Sequence, residues 1–309
     1  MLGFPLEMPI EHASVRVTAR ATTNTVPIMT NCWTSLGTTQ ADMSLNEKIV
    51  VIAQVTQGSN PVIGAEVVAL IQKDGVSKPI EISLKDSGSG ADNVANDGLY
   101  SRYFTVFDTK TSANTRYSLK CVVKGTPESK INKGFEHIQD YRAGHPLCCG
   151  SNTVHPRSVL EPTGNFTRYA SGGSIEMINA NQVRYGPGEI TDFRGLKDRN
   201  QYFYELSFSA TGNVLDSGTI SRFVVYATDK LEDLQDVNTI HNSVPSLTAA
   251  DVVNPGSFKP LEAGSAVTLQ VLKSKLKPSQ QYFFRIYSVG ANANLFSWSN
   301  IARVIVERK

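Results

Sequence analysis

An acidic loop between two predicted strands carries the residues best suited to bind a metal ion. It reads DSGSGADNVANDGLY, and its aspartates are Asp86, Asp92 and Asp97. Carboxylate oxygens are the hard ligands that calcium prefers, and Asn93 and Asn96 add further oxygen donors. The spacing differs from an EF-hand, and no glutamate closes the loop. Because it lies between two strand patterns, the segment is predicted to be a long hairpin loop. The same residue types also form tight turns, so turn structure that binds no metal is the alternative interpretation.

The histidines do not form a catalytic or metal-binding motif. No His-Glu-x-x-His, Gly-x-Ser-x-Gly or glycine-rich phosphate loop occurs in the sequence. His145 and His155 flank Cys148 and Cys149, but without ligand spacing a structured linker is the better interpretation than a metal site or a Cys-His nucleophile. The sequence therefore predicts a protein that is not an enzyme and has no cofactor other than possible calcium.

Four cysteines leave the disulfide pairing open. Cys148 and Cys149 are adjacent, so a bond between them would be strained, and each could instead pair with Cys32 or Cys121. Cys121 lies on the apolar side of an alternating run, where a buried free thiol is the alternative. The even count permits two disulfides without requiring them.

The sequence contains one potential glycosylation site. Asn165-Phe166-Thr167 is an N-x-S/T triplet in a stretch that predicts surface exposure. In a secreted protein, Asn165 would be the glycan acceptor.

Alternating apolar and polar residues dominate the chain and predict an all-β fold. Short alternating runs separated by turn clusters indicate an antiparallel β-sandwich over residues 13–135, after an N-terminal segment of residues 1–12. Glycine and proline interrupt residues 136–185, which predicts an irregular connector rather than a domain. A second set of strands over residues 186–309 predicts another antiparallel sandwich.

The second sandwich has features of a fibronectin type III module. It contains about seven short strands, and Leu276, Pro278 and Tyr282 match a tyrosine corner, in which the Tyr282 hydroxyl would bond to backbone upstream. Residues 231–259 are a possible helical insertion, because Leu231 and Leu234 begin a three-residue apolar spacing.

Composition limits the classes of partner. The 309 residues carry 30 Lys+Arg and 28 Asp+Glu, a net charge of +2, which gives no electrostatic case for nucleic acid or an anionic membrane surface. No apolar run reaches the length of a membrane-spanning helix. The first ten residues do not have the pattern of a signal peptide. We therefore expect either a cytosolic protein or part of a longer secreted one.

Three stretches resemble the calcium-activated chloride channel regulators. The first is LKDSGSGADNVANDGLYSRYF (84–104), and the second is FTRYASGGSI (166–175). The third is the final module, which begins like the family's fibronectin-like domain at GEITDF (188–193) and ends like it at SNIARV (299–304). Residues 14–72 are also similar in character. The resemblance covers nearly the whole chain, in the family's order, and corresponds to the C-terminal part of its members.

The sequence departs from the family in two places. Family members usually carry a Trp-Thr-Ala-Pro-Gly-Asp-Asp run, where this sequence has Phe208 and lacks the acidic pair, which weakens the case for a ligand there. It also lacks the family's metalloprotease-like domain and its von Willebrand A domain. The family's self-cleaving protease activity is therefore not expected of this chain.

The resemblance implies a non-enzymatic, extracellular or cell-surface segment that modulates calcium-activated chloride conductance through contacts with a channel subunit or a matrix protein. It does not imply a membrane span or a nucleic-acid partner. One alternative is a set of accessory β-domains of a larger self-cleaving metalloprotease, which an upstream His-Glu-x-x-His would indicate. Another is a stand-alone adhesion or carbohydrate-binding module, although Trp33 and Trp298 are far apart in sequence.

Overall fold

The computed structural model describes residues 26–36, 40–110, 114–135, 158–196, 202–276, 279 and 281–305. The fold is all-β, which confirms the predicted class. The strands are β1 (Ile28–Thr34), β2 (Gln40–Asp42), β3 (Val50–Gln57), β4 (Asn60–Ile63), β5 (Glu66–Lys73), β6 (Ile80–Leu84), β7 (Leu99–Tyr103), β8 (Thr115–Lys124), β9 (Lys130–Phe135), β10 (Ser158–Pro162), β11 (Thr167–Ile178), β12 (Arg194–Gly195), β13 (Phe203–Ser209), β14 (Arg222–Thr228), β15 (Ser246–Leu247), β16 (Ala266–Leu272), β17 (Gln281–Val289), β18 (Phe296–Trp298) and β19 (Ala302–Ile305).

The first sandwich consists of two sheets. One has the order β1-β3-β4-β9-β10, with β7 also paired to β3, and the other has the order β2-β11-β8-β5-β6. Alternation puts every second side chain of the long central strands into the core, as in β8, where Tyr117, Leu119, Cys121 and Val123 are buried. All pairings between the strands named above are antiparallel except that between β2 and β11.

The described part of the predicted connector is ordered into strands. Residues 158–162 and 167–178 form β10 and β11, and β11 pairs with β8 along most of its length. Residues 167–174 of β11 alternate between exposed and half-buried positions. This part of the strand therefore lacks the alternation of buried apolar residues that marks a core strand. Within the predicted connector, the strands of residues 158–178 therefore belong to the sheets of the first sandwich, and residues 136–157 lie outside the described residues.

The second sandwich packs three strands against five. The sheet β12-β13-β16 faces the sheet β15-β14-β17-β18, in which β19 also pairs with β17. Their inner faces share a core that includes Leu206, Leu269 and Phe284. Tyr282 is buried within it, but its hydroxyl has no hydrogen-bond partner among the described residues, so the predicted tyrosine-corner bond is not formed there.

The possible helical insertion consists of short turns. A 3-10 turn spans Leu231–Leu234, and the single α-helix of the described residues, α1, spans Ile240–Ser243. Leu234 and Ile240 are fully buried against Tyr226 and Phe283 on the outer face of the second sandwich. No described helix is both long and apolar enough to cross a membrane.

Candidate metal centre

The acidic loop connects strands that lie in different sheets. It leaves β6 in one sheet of the first sandwich and enters β7 in the other, and a single bridge between Lys85 and Ser101 links its two ends. The loop is therefore a crossover at the end of the sandwich, which corrects the expectation of a hairpin.

The structure brings the three predicted ligands together. One carboxylate oxygen from each of Asp86, Asp92 and Asp97 lies within 4.8 Å of the other two. Asp92 is buried, with 4% of its surface exposed, while Asp86 and Asp97 are half-buried. Asn93 and Asn96, the additional predicted donors, are exposed.

Backbone amides hold Asp86 and Asp97 in position. The Asp86 carboxylate accepts hydrogen bonds from the backbone N–H of Asp97 at 3.2 Å and of Gly98 at 3.0 Å. Asp97 Oδ1 accepts one from the N–H of Leu99 at 2.9 Å. These bonds draw the two ends of the loop together where β7 begins.

Asp92 is held by the first half of the loop. Its Oδ2 accepts hydrogen bonds from the backbone N–H of Ser87 and of Gly88, and its Oδ1 accepts one from Val94 at 3.3 Å. Both interpretations of the sequence are compatible with this geometry. The bonds order the loop by themselves, and a carboxylate has further lone pairs with which it could bind a cation.

Burial makes the cluster unfavourable in its fully charged form. Burial raises the pKa of Asp86 to about 6, an effect that backbone hydrogen bonds oppose and the charge of Asp92 adds to. Burial also raises the pKa of Asp92, with the Asp97 charge contributing in the same direction. A divalent cation among the three oxygens would relieve both the repulsion and the loss of solvation. Because the donors are all oxygen, the cluster suits calcium better than a transition metal.

The loop lies against the second sandwich. Asp216, between β13 and β14, accepts a hydrogen bond from the backbone N–H of Tyr103 at 3.1 Å, and its backbone oxygen accepts one from Arg102. A Cβ placed on Gly90 would come within 3.0 Å of Asp216 Cβ, so a larger residue would crowd this contact. Sequence reasoning did not identify Asp216 as an interface residue, because its partners are 113 and 114 positions away.

The structure contains one disulfide among the described residues. It joins Cys32 on β1 to Cys121 on β8, with the Cα atoms 5.9 Å apart. This resolves the open pairing for these two residues and excludes the free buried thiol at Cys121. Cys148, Cys149, His145 and His155 lie outside the described residues.

The predicted glycosylation site lies on the surface. Asn165 is exposed in the turn between β10 and β11. Its exposure is compatible with an attached glycan, and modification of Asn165 stays a prediction.

Known proteins resemble this chain along almost its whole length. It is 29% identical over 310 residues to calcium-activated chloride channel regulator 3A-1 of Mus musculus, covering 94% of this chain and 32% of the relative. It is 30% identical over 314 residues to calcium-activated chloride channel regulator 1 of Bos taurus, with the same coverage. Calcium-activated chloride channel regulator 4 of Homo sapiens is 28% identical over 309 residues, covering 95% of this chain and 31% of that protein.

No protein-family model matches the chain. The chain spans about a third of the length of the curated relatives that it matches.

Proposed function

This chain is a homologue of the calcium-activated chloride channel regulators, and from that relationship we propose that it modulates calcium-activated chloride conductance through protein–protein contacts. The observation that carries the proposal is similarity to regulators of that name along 94% of the chain. The proposed role is non-enzymatic, and the partner is a channel subunit or a matrix or cell-surface protein.

The architecture supports a binding role. Two strand-rich sandwiches present loops and sheet edges on a stable framework, and binding sites in such domains lie on those loops. The Cys32–Cys121 disulfide supports an extracellular or cell-surface location, because disulfides persist in oxidising compartments. The sequence has no recognisable catalytic motif, which supports a role without chemistry.

Recording chloride current tests the proposed function. Purified chain is added to the outside of cells that express a calcium-activated chloride channel, and whole-cell current density is measured at a fixed intracellular calcium concentration. We expect the chain to change the current density, whereas heat-denatured chain and an unrelated fibronectin type III module leave it unchanged. If all three preparations give the same current, the proposed function is wrong.

We further propose that Asp86, Asp92 and Asp97 bind one calcium ion that stiffens the first sandwich. Three carboxylate oxygens within 4.8 Å of one another support this proposal, as does the raised pKa of Asp86 and of Asp92. Calcium accepts flexible geometry and completes its coordination with backbone oxygens and water. The loop therefore needs no additional carboxylate to hold the ion.

Calcium titration by calorimetry tests this second proposal. We expect saturable binding to the native chain and a higher melting temperature in millimolar calcium than in chelator, since a ligand of the folded state stabilises it by mass action. The triple variant Asp86→Asn, Asp92→Asn, Asp97→Asn should lose both effects. A control triple variant changes the exposed residues Asp74→Asn, Glu81→Gln and Glu232→Gln and should retain them. Equal calcium responses in the two triple variants would contradict the assignment.

A further inference from the structure

Besides a cleft beside the acidic loop, a second cleft lies between the two sandwiches, and it has no role in the functions proposed above. Its volume is 790 Å³, within the range of small-molecule and oligosaccharide sites. The first sandwich and the segment that follows it contribute Lys48, Arg184 and Tyr185, and the second contributes Arg285, Phe296 and Trp298. Neither sandwich forms this cleft alone.

The charges that line this cleft are mainly positive. Lys48, Arg184 and Arg285 are opposed there only by Glu189. The neighbouring cleft beside the acidic loop has a volume of 280 Å³ and the opposite balance, because Lys85 and Arg102 are outnumbered by three acidic residues, Glu189, Asp192 and Asp216. The chain carries a net charge of only +2, so the positive lining of the larger cleft is a local feature. Its charge complements an anionic ligand.

Arg285 is fixed before any ligand arrives. Its Nε donates to the backbone oxygen of Ser299 at 3.1 Å, and its Nη1 donates to the backbone oxygen of Leu234. Its guanidinium also lies 5.2 Å from the ring centre of Trp298. A guanidinium held in this way loses little freedom when it pairs with a carboxylate or sulfate.

Aromatic rings lie beside these cations. Pairing of β17 with β18 places Tyr287 opposite Trp298, and their ring centres are 4.7 Å apart. Phe296, two residues before Trp298, is 52% exposed and lies 5.2 Å from Tyr287. The sequence showed only two isolated tryptophans, but β-pairing joins Trp298 to other rings. The exposed ring of Phe296 offers flat apolar surface to a ligand, and Trp298 beside it is half-buried.

We propose that this cleft binds an anionic oligosaccharide, such as a sulfated or uronic-acid glycan. Sulfate or carboxylate groups of the sugar pair with Lys48, Arg184 and Arg285, because charge-assisted hydrogen bonds to guanidinium and ammonium groups are strong. The apolar C–H faces of the sugar rings pack against Phe296 and Trp298. The exposed ring of Phe296 and the half-buried ring of Trp298 beside the cations favour a sugar over an acidic peptide, which needs only the cations.

The contact at Asp216 fixes the position of the two sandwiches relative to each other, and so the geometry of this cleft. It joins the end of β7 to the loop between β13 and β14, and Thr105 adds a side-chain hydrogen bond to Ser217 at 3.3 Å. Because both sandwiches contribute to the cleft, fixing their relative position fixes the spacing of its cations. A preformed site of this kind avoids part of the ordering cost of binding.

Tryptophan fluorescence and calorimetry test the proposal on the full chain. The chain has two tryptophans, so the variant Trp33→Phe leaves Trp298 as the only reporter. A heparin-derived hexasaccharide should change its fluorescence saturably and bind more weakly as salt is raised. The double variant Lys48→Gln, Arg184→Gln should weaken binding by about tenfold or more, since each cation supplies a charge-assisted contact.

A charge-matched control separates a local site from general attraction. Lys78→Gln with Lys124→Gln removes the same charge at exposed positions outside both clefts and should leave binding unchanged. Equal weakening in the two double variants, or no saturable binding of the hexasaccharide, overturns the proposal. Tighter binding of a hexaglutamate peptide than of the hexasaccharide also overturns it, in favour of an acidic protein segment.

Discussion

The carboxylate of Asp216 in the second sandwich accepts a hydrogen bond from the backbone N–H of Tyr103 in the first, at 3.1 Å. Arg102 beside it donates to the backbone oxygen of Asp216 and lies 3.8 Å from its side chain. Tyr103 ends β7, the strand that starts directly after the acidic loop. The candidate calcium loop and the interface between the sandwiches therefore lie at opposite ends of one short strand, β7.

Removing this carboxylate should loosen the two sandwiches from each other. Asp216→Ala removes the acceptor of the Tyr103 N–H and the carboxylate 3.8 Å from Arg102, while the backbone oxygen that Arg102 also contacts stays. The expected loss is about 1–3 kcal/mol. In calorimetry we expect the unfolding transition to broaden or split, because the sandwiches then unfold more independently. Asp229→Ala, which removes an aspartate outside this contact, should leave the transition unchanged. An unaltered transition in Asp216→Ala would show that the contact does not couple the sandwiches.

The stability of the metal-free chain should depend on pH through Asp86. The pKa of Asp86 in the folded chain is about 6, above its ordinary value of 3.8, so folding favours the protonated form. The stabilising contribution of protonated Asp86 is present at low pH and is lost as pH rises through about 6. In chelator, the melting temperature of the native chain should therefore fall between about pH 4 and pH 7 relative to that of Asp86→Asn.

Calcium binding should show the complementary pH dependence. Protons compete with the ion for Asp86, so calcium affinity should rise as pH increases from about 5 to 7. Calorimetric titrations across that range measure it. A constant affinity across the range would mean that Asp86 is not a ligand.

Local sequence patterns predicted the strands and the acidic loop. Alternation identified strands such as Val50–Gln57, and loop composition identified the three aspartates that converge. Both depend on residues within one short window, where side-chain period and turn chemistry are decisive. The all-β class follows from the same information.

Contacts between distant residues could not be predicted. β11 contains Gly172 because a Cβ there would come within 2.5 Å of Leu119 and 3.0 Å of the Cys32 sulfur, and no local pattern encodes that crowding. The Asp216 contact and the joining of Trp298 to Tyr287 likewise depend on tertiary structure. Sequence reasoning therefore identified possible ligands in the acidic loop but missed the interface beside it and the second cleft.

The Cys32–Cys121 disulfide should contribute strongly to stability. It links residues 89 positions apart, so it restricts a long loop of the unfolded chain. Replacing both residues by alanine should reduce the free energy of unfolding by about 2–4 kcal/mol. Chemical denaturation measures this change, and peptide mapping without reductant identifies the pairing. Recovery of Cys32 joined to Cys148 or Cys149 would contradict the structure.

Asn165 should carry a glycan when the chain is secreted from eukaryotic cells. Its side chain is exposed in the turn before β11, where the glycosylation machinery can reach it. Secreted chain should lose mass on treatment with an N-glycosidase, and Asn165→Gln should remove the loss while leaving the melting temperature nearly unchanged. Native chain whose mass does not respond to the enzyme would rule out the modification.

Gly98→Ala should disrupt the acidic loop through steric crowding. Gly98 has a φ of +79°, and an added Cβ would lie 2.8 Å from both Pro61 Cβ and the backbone oxygen of Val55. Its N–H also donates to Asp86, so any shift that relieves the crowding moves a candidate ligand. We expect a loss of about 1–3 kcal/mol from the combined strain and crowding, together with weaker calcium binding.

The variant Gly75→Ala separates backbone strain from steric crowding as causes of the lost stability. Gly75 has a similar φ of +76°, but an added Cβ there meets no atom within 4 Å. Its substitution should cost only the backbone strain, about 1 kcal/mol, and leave calcium binding intact. Denaturant melts and calcium titrations of both variants provide the comparison. If Gly98→Ala is no more destabilising than Gly75→Ala, contact with Pro61 and Val55 does not determine the conformation of the loop.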